Sequence, residues 1–272
     1  MDGIYSAIIS CIDDKGNFNK KQFELQMSIF QSYEFDGLFL CGNTGQGLKL
    51  TIQQKDELVN AAYNNKKNMR LIMNVSGNNN DETIYSMNIA RKYCCEYMAL
   101  MVPRNMNNFN DIYEYYREMS TIADYPLLAY HIPTFTNYNM NEDEIIKVLS
   151  IPNVKGMKYT DNNIDKLHIV VKELPKTKIF WGRDDLLIDG LRNGARGCIG
   201  GFYNVIPSYF KIIYDNYNNE KAELYQKRVN KVIFELRKKY PFMPGGQFVS
   251  LILEEYKKSL CDDEFYSYII NK

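Results

Sequence analysis

Between residues 3 and 201 the chain alternates short, almost continuous apolar runs with longer polar stretches. The runs are GIYSAIIS (3–10), DGLFLCG (36–42), RLIMNVS (70–76), YMALMVP (97–103), PLLAYHIP (126–133), VKGMKY (154–159), KIFWG (178–182) and RGCIGG (196–201). Each has the length of a strand, and near-continuous apolarity marks strands buried on both faces of a parallel sheet. The intervening stretches carry helical spacing, as in Phe23, Met27 and Phe30, and Thr51 with Gln54 forms a capping box that opens a helix. Eight such repeats predict an α/β fold of the TIM (β/α)8 barrel type, usually about 250 residues, rather than an open doubly wound sheet. The barrel is expected over residues 1–203. Residues 204–272 read as helices only: PSYFKIIYDNY, then NEKAELYQKRVNKVIFELRKKY with Ala222, Tyr225, Val229, Val232 and Leu236 on one face, then GGQFVSLILEEYKKSL and DDEFYSYIINK. No Pro/Gly/Ser-rich linker separates them, so they are expected to pack on the barrel as its last helix plus an extension.

Composition removes several function classes. The 272 residues include 33 basic and 33 acidic side chains, which gives no charge excess for nucleic acid or an anionic membrane. No apolar run approaches the roughly 18 residues of a membrane span. The start MDGIYSAIIS lacks a basic region before its apolar run, so a cytoplasmic location is the expectation. Six cysteines are scattered without a C-x-x-C pair, and His131 and His168 are the only histidines. Neither a zinc nor a haem site is suggested, and the cysteines are expected to be reduced and mostly buried.

In a barrel of this kind chemistry gathers at the C-terminal ends of the strands. That rule selects GNTGQG (42–47), Tyr130 and His131, Lys158 to Thr160, GRDD (182–185) and GGFYN (200–204). The Gly-rich turn either needs positive φ at Gly42, Gly45 or Gly47, or offers backbone N–H groups to a carboxylate or phosphate. Asp184 either caps the helix that follows or faces a ligand, and Arg183 has an acid on either side to pair with. Strand alternation puts Val154, Gly156 and Lys158 on one face and Lys155 and Met157 on the other. If Gly156 points inward, so does Lys158. A desolvated lysine has a lowered pKa and can form a Schiff base, whereas a strand-end lysine can also simply reach for solvent.

The segment AYHIPTFTN (129–137), followed by GMKYT (156–160) and preceded by DGLFLCGNTGQG (36–47), resembles the dihydrodipicolinate synthase / N-acetylneuraminate lyase family of pyruvate-dependent class I aldolases. The resemblance implies that Lys158 forms the imine with a small-molecule 2-oxo acid and that Tyr130 is the general acid/base. It also implies that the turn seats the substrate carboxylate through Asn43, Thr44 and Gly45. Such chemistry needs no metal or organic cofactor, because the protonated imine itself takes up the electrons released on C–C cleavage. The family's homotetrameric assembly is expected by the same resemblance.

Second-rank positions narrow the branch. Dihydrodipicolinate synthases commonly carry an arginine where this chain has Phe135, and paired tyrosines where it has VPRNMNN. KYTDNN and YHIPTFT look more like the sialic acid lyases, a likeness that implies N-acetylneuraminate lyase activity with Thr160, Gly182, Asp184, Asp185 and Gly201 along the sugar chain. An aldolase or dehydratase for a 2-keto-3-deoxy sugar acid, a synthase of the dihydrodipicolinate kind and a non-catalytic binder are the alternatives. Departures from the family's usual residues are Asn43, Gln46, His131, Gly201 and the SCID end of the first strand.

Overall fold

All eight apolar runs form strands: β1 (Gly3–Ala7), β2 (Gly37–Leu40), β3 (Arg70–Asn74), β4 (Tyr97–Leu100), β5 (Leu127–His131), β6 (Val154–Tyr159), β7 (Lys178–Trp181) and β8 (Gly197–Gly200). In the computed structural model, which describes residues 2–13, 15–241, 243–255 and 261–271, they pair in parallel in chain order. The ring closes through β8 on β1, with Gly3 opposite Gly197 and Ser6 opposite Gly200. Among the described residues a helix of at least six residues precedes each next strand, from Lys20–Ser32 to Leu187–Arg192, and Pro207–Asn216 follows β8.

Alternation along each strand divides the apolar residues into two cores. Outward side chains such as Leu38, Leu71, Met98 and Met157 pack under the helices, where Phe23, Met27 and Phe30 are buried as their spacing predicts. Inward side chains, among them Tyr5, Phe39, Ile72, Tyr130, Phe180 and Ile199, fill the barrel. Its taper is matched by pairing large rings with glycines. A Cβ on Gly37 would lie 2.4 Å from the Tyr5 ring, and one on Gly197 would lie 3.0 Å from that of Phe180. Tyr5 and Phe180 meet edge to face at 5.5 Å, and Phe39 meets Tyr130 the same way at 5.6 Å.

The alternation expected for β6 is broken at its start. Leu127 pairs with Val154 but Leu128 pairs with Gly156, so exposed Lys155 is the extra residue of a β-bulge. Val154 therefore joins the outer core with Met157, not the inner face with Gly156 and Lys158. The bulge restores Lys158 to the barrel interior.

The Thr51–Gln54 capping box forms, and the Gln54 side chain also donates to the Gly16 carbonyl at 2.7 Å. After Pro207–Asn216, helices Glu220–Lys239, Gly245–Glu255 and Asp262–Ile270 follow. The helix expected over 245–260 is seen to Glu255, the remainder lying outside the described residues. Gln226 joins Ala222, Val229, Val232 and Leu236 among the buried residues of the long helix, and Tyr225 packs partly buried against the same core. Asp262 ties the C-terminal helix back by accepting from Ser208 N and Oγ at 2.8 and 2.6 Å.

Candidate active site

Tyr130 and Lys158, 28 residues apart in the chain, are lateral neighbours in the β5–β6 ladder. The register alone brings their inward side chains together, and Lys158 Nζ donates to Tyr130 Oη at 3.1 Å. Lys158 is 4% exposed, with Nζ 4.1 Å from the ring centre of Phe39. Burial pushes its ammonium pKa down to about 7, against a smaller opposing pull from the Asp184 carboxylate. A large fraction of the side chain is then a neutral, nucleophilic amine at neutral pH. Burial also raises the Tyr130 hydroxyl above the ordinary phenol value, with Asp184 adding to the effect, so the phenol rests protonated.

The turn after β2 is shaped differently from expectation. Positive φ falls on Cys41 and Gln46, at 54° and 52°, and on none of Gly42, Gly45 and Gly47. The glycines serve close approach instead. A Cβ on Gly47 would sit 1.8 Å from the Cys41 carbonyl oxygen, and one on Gly45 would crowd Ser10 Oγ at 2.8 Å and the Ile8 carbonyl at 2.9 Å. Ser10 Oγ donates to the Gly45 carbonyl at 2.6 Å, fastening the turn to the end of β1.

After β7, Asp184 does not cap the next helix, Leu187–Arg192, which has no side-chain cap. Its Oδ2 accepts from Phe202 N at 2.8 Å, while buried Oδ1 has no partner among the described residues. Burial is the chief reason its carboxyl pKa is pushed up to about 7. Arg183 settles on Asp185, through two bonds of 2.9 and 2.7 Å. The backbone of this loop is held from the long C-terminal helix: Gln226 Nε2 donates to the Asp184 carbonyl and Asn230 Nδ2 to that of Asp185, both at 3.0 Å.

These elements surround one cavity of about 410 Å³. Asn43, Thr44, Tyr130, Lys158 and Thr160 line it, as do Gly182, Asp184, Asp185 and Gly201. Gly45 does not. It lines the adjoining cavity of about 590 Å³ on the other side of the turn. Two glycines make room for hydroxyls: a Cβ on Gly182 would lie 2.1 Å from Thr160 Oγ1, and one on Gly201 would lie 2.5 Å from Thr44 Oγ1. His131 turns to the outer side of the barrel, stacking on Tyr159 at 5.5 Å and contacting Asn139 at 3.3 Å. Burial pushes its pKa down to about 4, so it is neutral near pH 7. Arg104 lies 3.7 Å above the Phe135 ring of its own chain.

Sequence reasoning missed the wall supplied by the C-terminal helices, namely Ile233, Arg237, Gly245, Phe248 and Val249. The available signal was helical spacing. Gln226, Asn230, Ile233 and Arg237 form a stripe beside the apolar face already recognised.

The profile of the dihydrodipicolinate synthetase family matches residues 1–248. The chain belongs to that family. Its members are carbon–carbon lyases working as class I aldolases. An N-acetylneuraminate lyase of Clostridium perfringens is 27% identical over 208 residues, covering 75% of this chain and 72% of that protein. A 4-hydroxy-tetrahydrodipicolinate synthase of Thermosipho africanus is 24% identical over 229 residues, 82% of this chain and 78% of that one. The crystal structure of N-acetylneuraminate lyase from Mycoplasma synoviae shares the fold, with a TM-score of 0.83 at 23% identity, covering 100% of this chain and 97% of that one.

Proposed function

We propose that this protein is a Schiff-base aldolase that reversibly cleaves N-acetylneuraminate to N-acetylmannosamine and pyruvate. The observation that carries the reading is the buried Lys158 amine, with its pKa near 7, 3.1 Å from the Tyr130 hydroxyl on the cavity wall. Lys158 Nζ attacks the C2 carbonyl of the open-chain sugar acid, and loss of water leaves a protonated imine. The Tyr130 phenol protonates the hydroxyl that leaves as this water, and the phenolate so formed takes the C4 hydroxyl proton as the C3–C4 bond breaks, the bonding pair moving into the imine to give a neutral enamine. The aldehyde N-acetylmannosamine departs. Protonation of the enamine and hydrolysis of the imine release pyruvate and the free amine.

Asn43 and Thr44 with their turn seat the carboxylate in this reading, and Thr160, Gly182, Asp184, Asp185 and Gly201 face the polyol. The imine serves as the electron sink, so the reaction as written needs no metal or organic cofactor. Support for the sugar branch comes from the N-acetylneuraminate lyase relatives and from Phe135, which stands where dihydrodipicolinate synthases commonly carry an arginine. A homotetramer in the cytoplasm is part of the same proposal. Purified enzyme incubated with N-acetylneuraminate should release pyruvate, read with a coupled dehydrogenase. Release from a 2-keto-3-deoxy sugar acid but none from N-acetylneuraminate would move the assignment to that neighbouring substrate.

A further inference from the structure

We infer that Asn74 is a positioning residue for the carboxylate seat: its side-chain amide latches the Cys41 carbonyl and so holds the turn after β2 in a strained shape suited to an anion. This rests on the Schiff-base aldolase reading above, in which the same turn seats the substrate carboxylate.

Leu40 is paired with Met73, so Asn74, the last residue of β3, stands beside Cys41 one step beyond the last β2 pair. Alternation with Ile72 turns its side chain into the barrel, where it is buried. It is not among the residues lining the cavity, so any effect on a ligand passes through the residues it holds. Nδ2 donates to the Cys41 carbonyl at 3.0 Å, and Oδ1 accepts from Ser76 Oγ at 3.0 Å. Ser76 Oγ in turn accepts from Met101 N at 2.8 Å, beyond the end of β4. The direction of this chain is fixed at both ends: a carbonyl can only accept and a backbone N–H can only donate. It crosses from β4 through β3 to the turn after β2, and it uses the whole of a buried amide to hold one carbonyl.

That carbonyl belongs to a strained residue. Cys41 has φ 54°, a region that a non-glycine residue keeps only when its surroundings hold it there. The carbonyls that follow are also committed. Gly42 O accepts from Gly47 N at 3.0 Å, Asn43 O from Gln46 N at 3.1 Å and Gly45 O from Ser10 Oγ at 2.6 Å. By contrast, the N–H groups of Asn43, Thr44 and Gly45 have no hydrogen-bond partner among the described residues, and Asn43 and Thr44 line the cavity. A turn whose acceptors are engaged within the protein while its donors stay free has the polarity an anion requires. Without the Asn74 amide, the Cys41 carbonyl becomes an acceptor left unpaired. Cys41 can then relax out of the left-handed region and carry Gly42 and Asn43 with it.

The test is cyanoborohydride trapping on Lys158 with pyruvate and with pyruvamide, which keeps the reactive ketone but has no carboxylate charge. The readout is the concentration of each compound that gives the half-maximal trapping rate. It is measured for the unaltered enzyme, Asn74→Leu, Ser76→Ala and the double variant Cys41→Gly with Asn74→Leu. Asn74→Leu should raise the pyruvate value roughly 10-fold and leave the pyruvamide value little changed. Ser76→Ala frees the amide to rotate and should shift pyruvate in the same direction by less. Adding Cys41→Gly should recover part of the loss, because glycine takes positive φ without strain. An unchanged pyruvate value in Asn74→Leu, an equal rise for both compounds, or no recovery in the double variant would each overturn the inference. An equal rise is what a merely structural role gives. Melting curves establish that each variant is folded; should Asn74→Leu not fold, Ser76→Ala decides by the same comparison of the two compounds. Trapping that ignores these substitutions refutes the latch alone, and absence of trapping in the unaltered enzyme refutes the aldolase reading with it.

Discussion

At the strand ends, Tyr130, Lys158 and Phe180 are consecutive neighbours across a hydrogen-bonded ladder, so their spacing is set by backbone register. The facing wall is held by side chains, Gln226 and Asn230 on the loop carbonyls and Arg237 on Phe248, and by the close approach of the Gly246 backbone to the turn after β2. A ladder position cannot shift without breaking several backbone bonds, whereas a wall fixed by side chains is altered one residue at a time. On the proposed reading, bond-making chemistry falls to the barrel ladder, and the covering helices hold in place the loop and turn that face the substrate.

Four substitutions or conditions press on that division. Lys158→Met should remove at least ~10⁴-fold of turnover and all borohydride trapping, as loss of a covalent nucleophile does. It should not lower the melting temperature, because it replaces a buried amine with an apolar chain of similar length. Tyr130→Phe should cost roughly 10²–10⁴-fold in kcat, the range for general acid/base catalysis, while trapping with pyruvate persists. Trapping at limiting pyruvate should fall about 10-fold per pH unit below the Lys158 pKa of about 7, since only the neutral amine attacks, and should level off above it. The smallest effect belongs to the wall. Gly246→Ala must push the helix off the turn, raising KM for pyruvate several-fold and costing about 1–3 kcal/mol of stability, with kcat little changed. If Gly246→Ala were as damaging to kcat as Tyr130→Phe, the division between walls would fail.

The barrel was legible because eight apolar runs separated by amphipathic stretches admit few other folds, and strand ends then nominate the site residues. Lys158 was legible only as an alternative until its partner across the ladder was counted. What stayed hidden depends on contacts distant in sequence. The bulge at Lys155 follows from pairing with β5, and the turn after β2 takes positive φ at Cys41 and Gln46 while Ser10 and Cys41 close in on Gly45 and Gly47. The capping reading of Asp184 gave way to Phe202 N, 18 residues on, which only closure of the barrel brings near. Arg237 lies in the last turn of a long helix, and its place on the cavity wall emerges only from where that helix lies.

The central claim, that Lys158 is the imine-forming group, is tested most directly by borohydride reduction in the presence of pyruvate, followed by peptide mass mapping. The account predicts one stable pyruvate-derived addition, on the peptide containing Lys158. Unmodified protein, or an addition placed instead on buried Lys55 or Lys166, would contradict it.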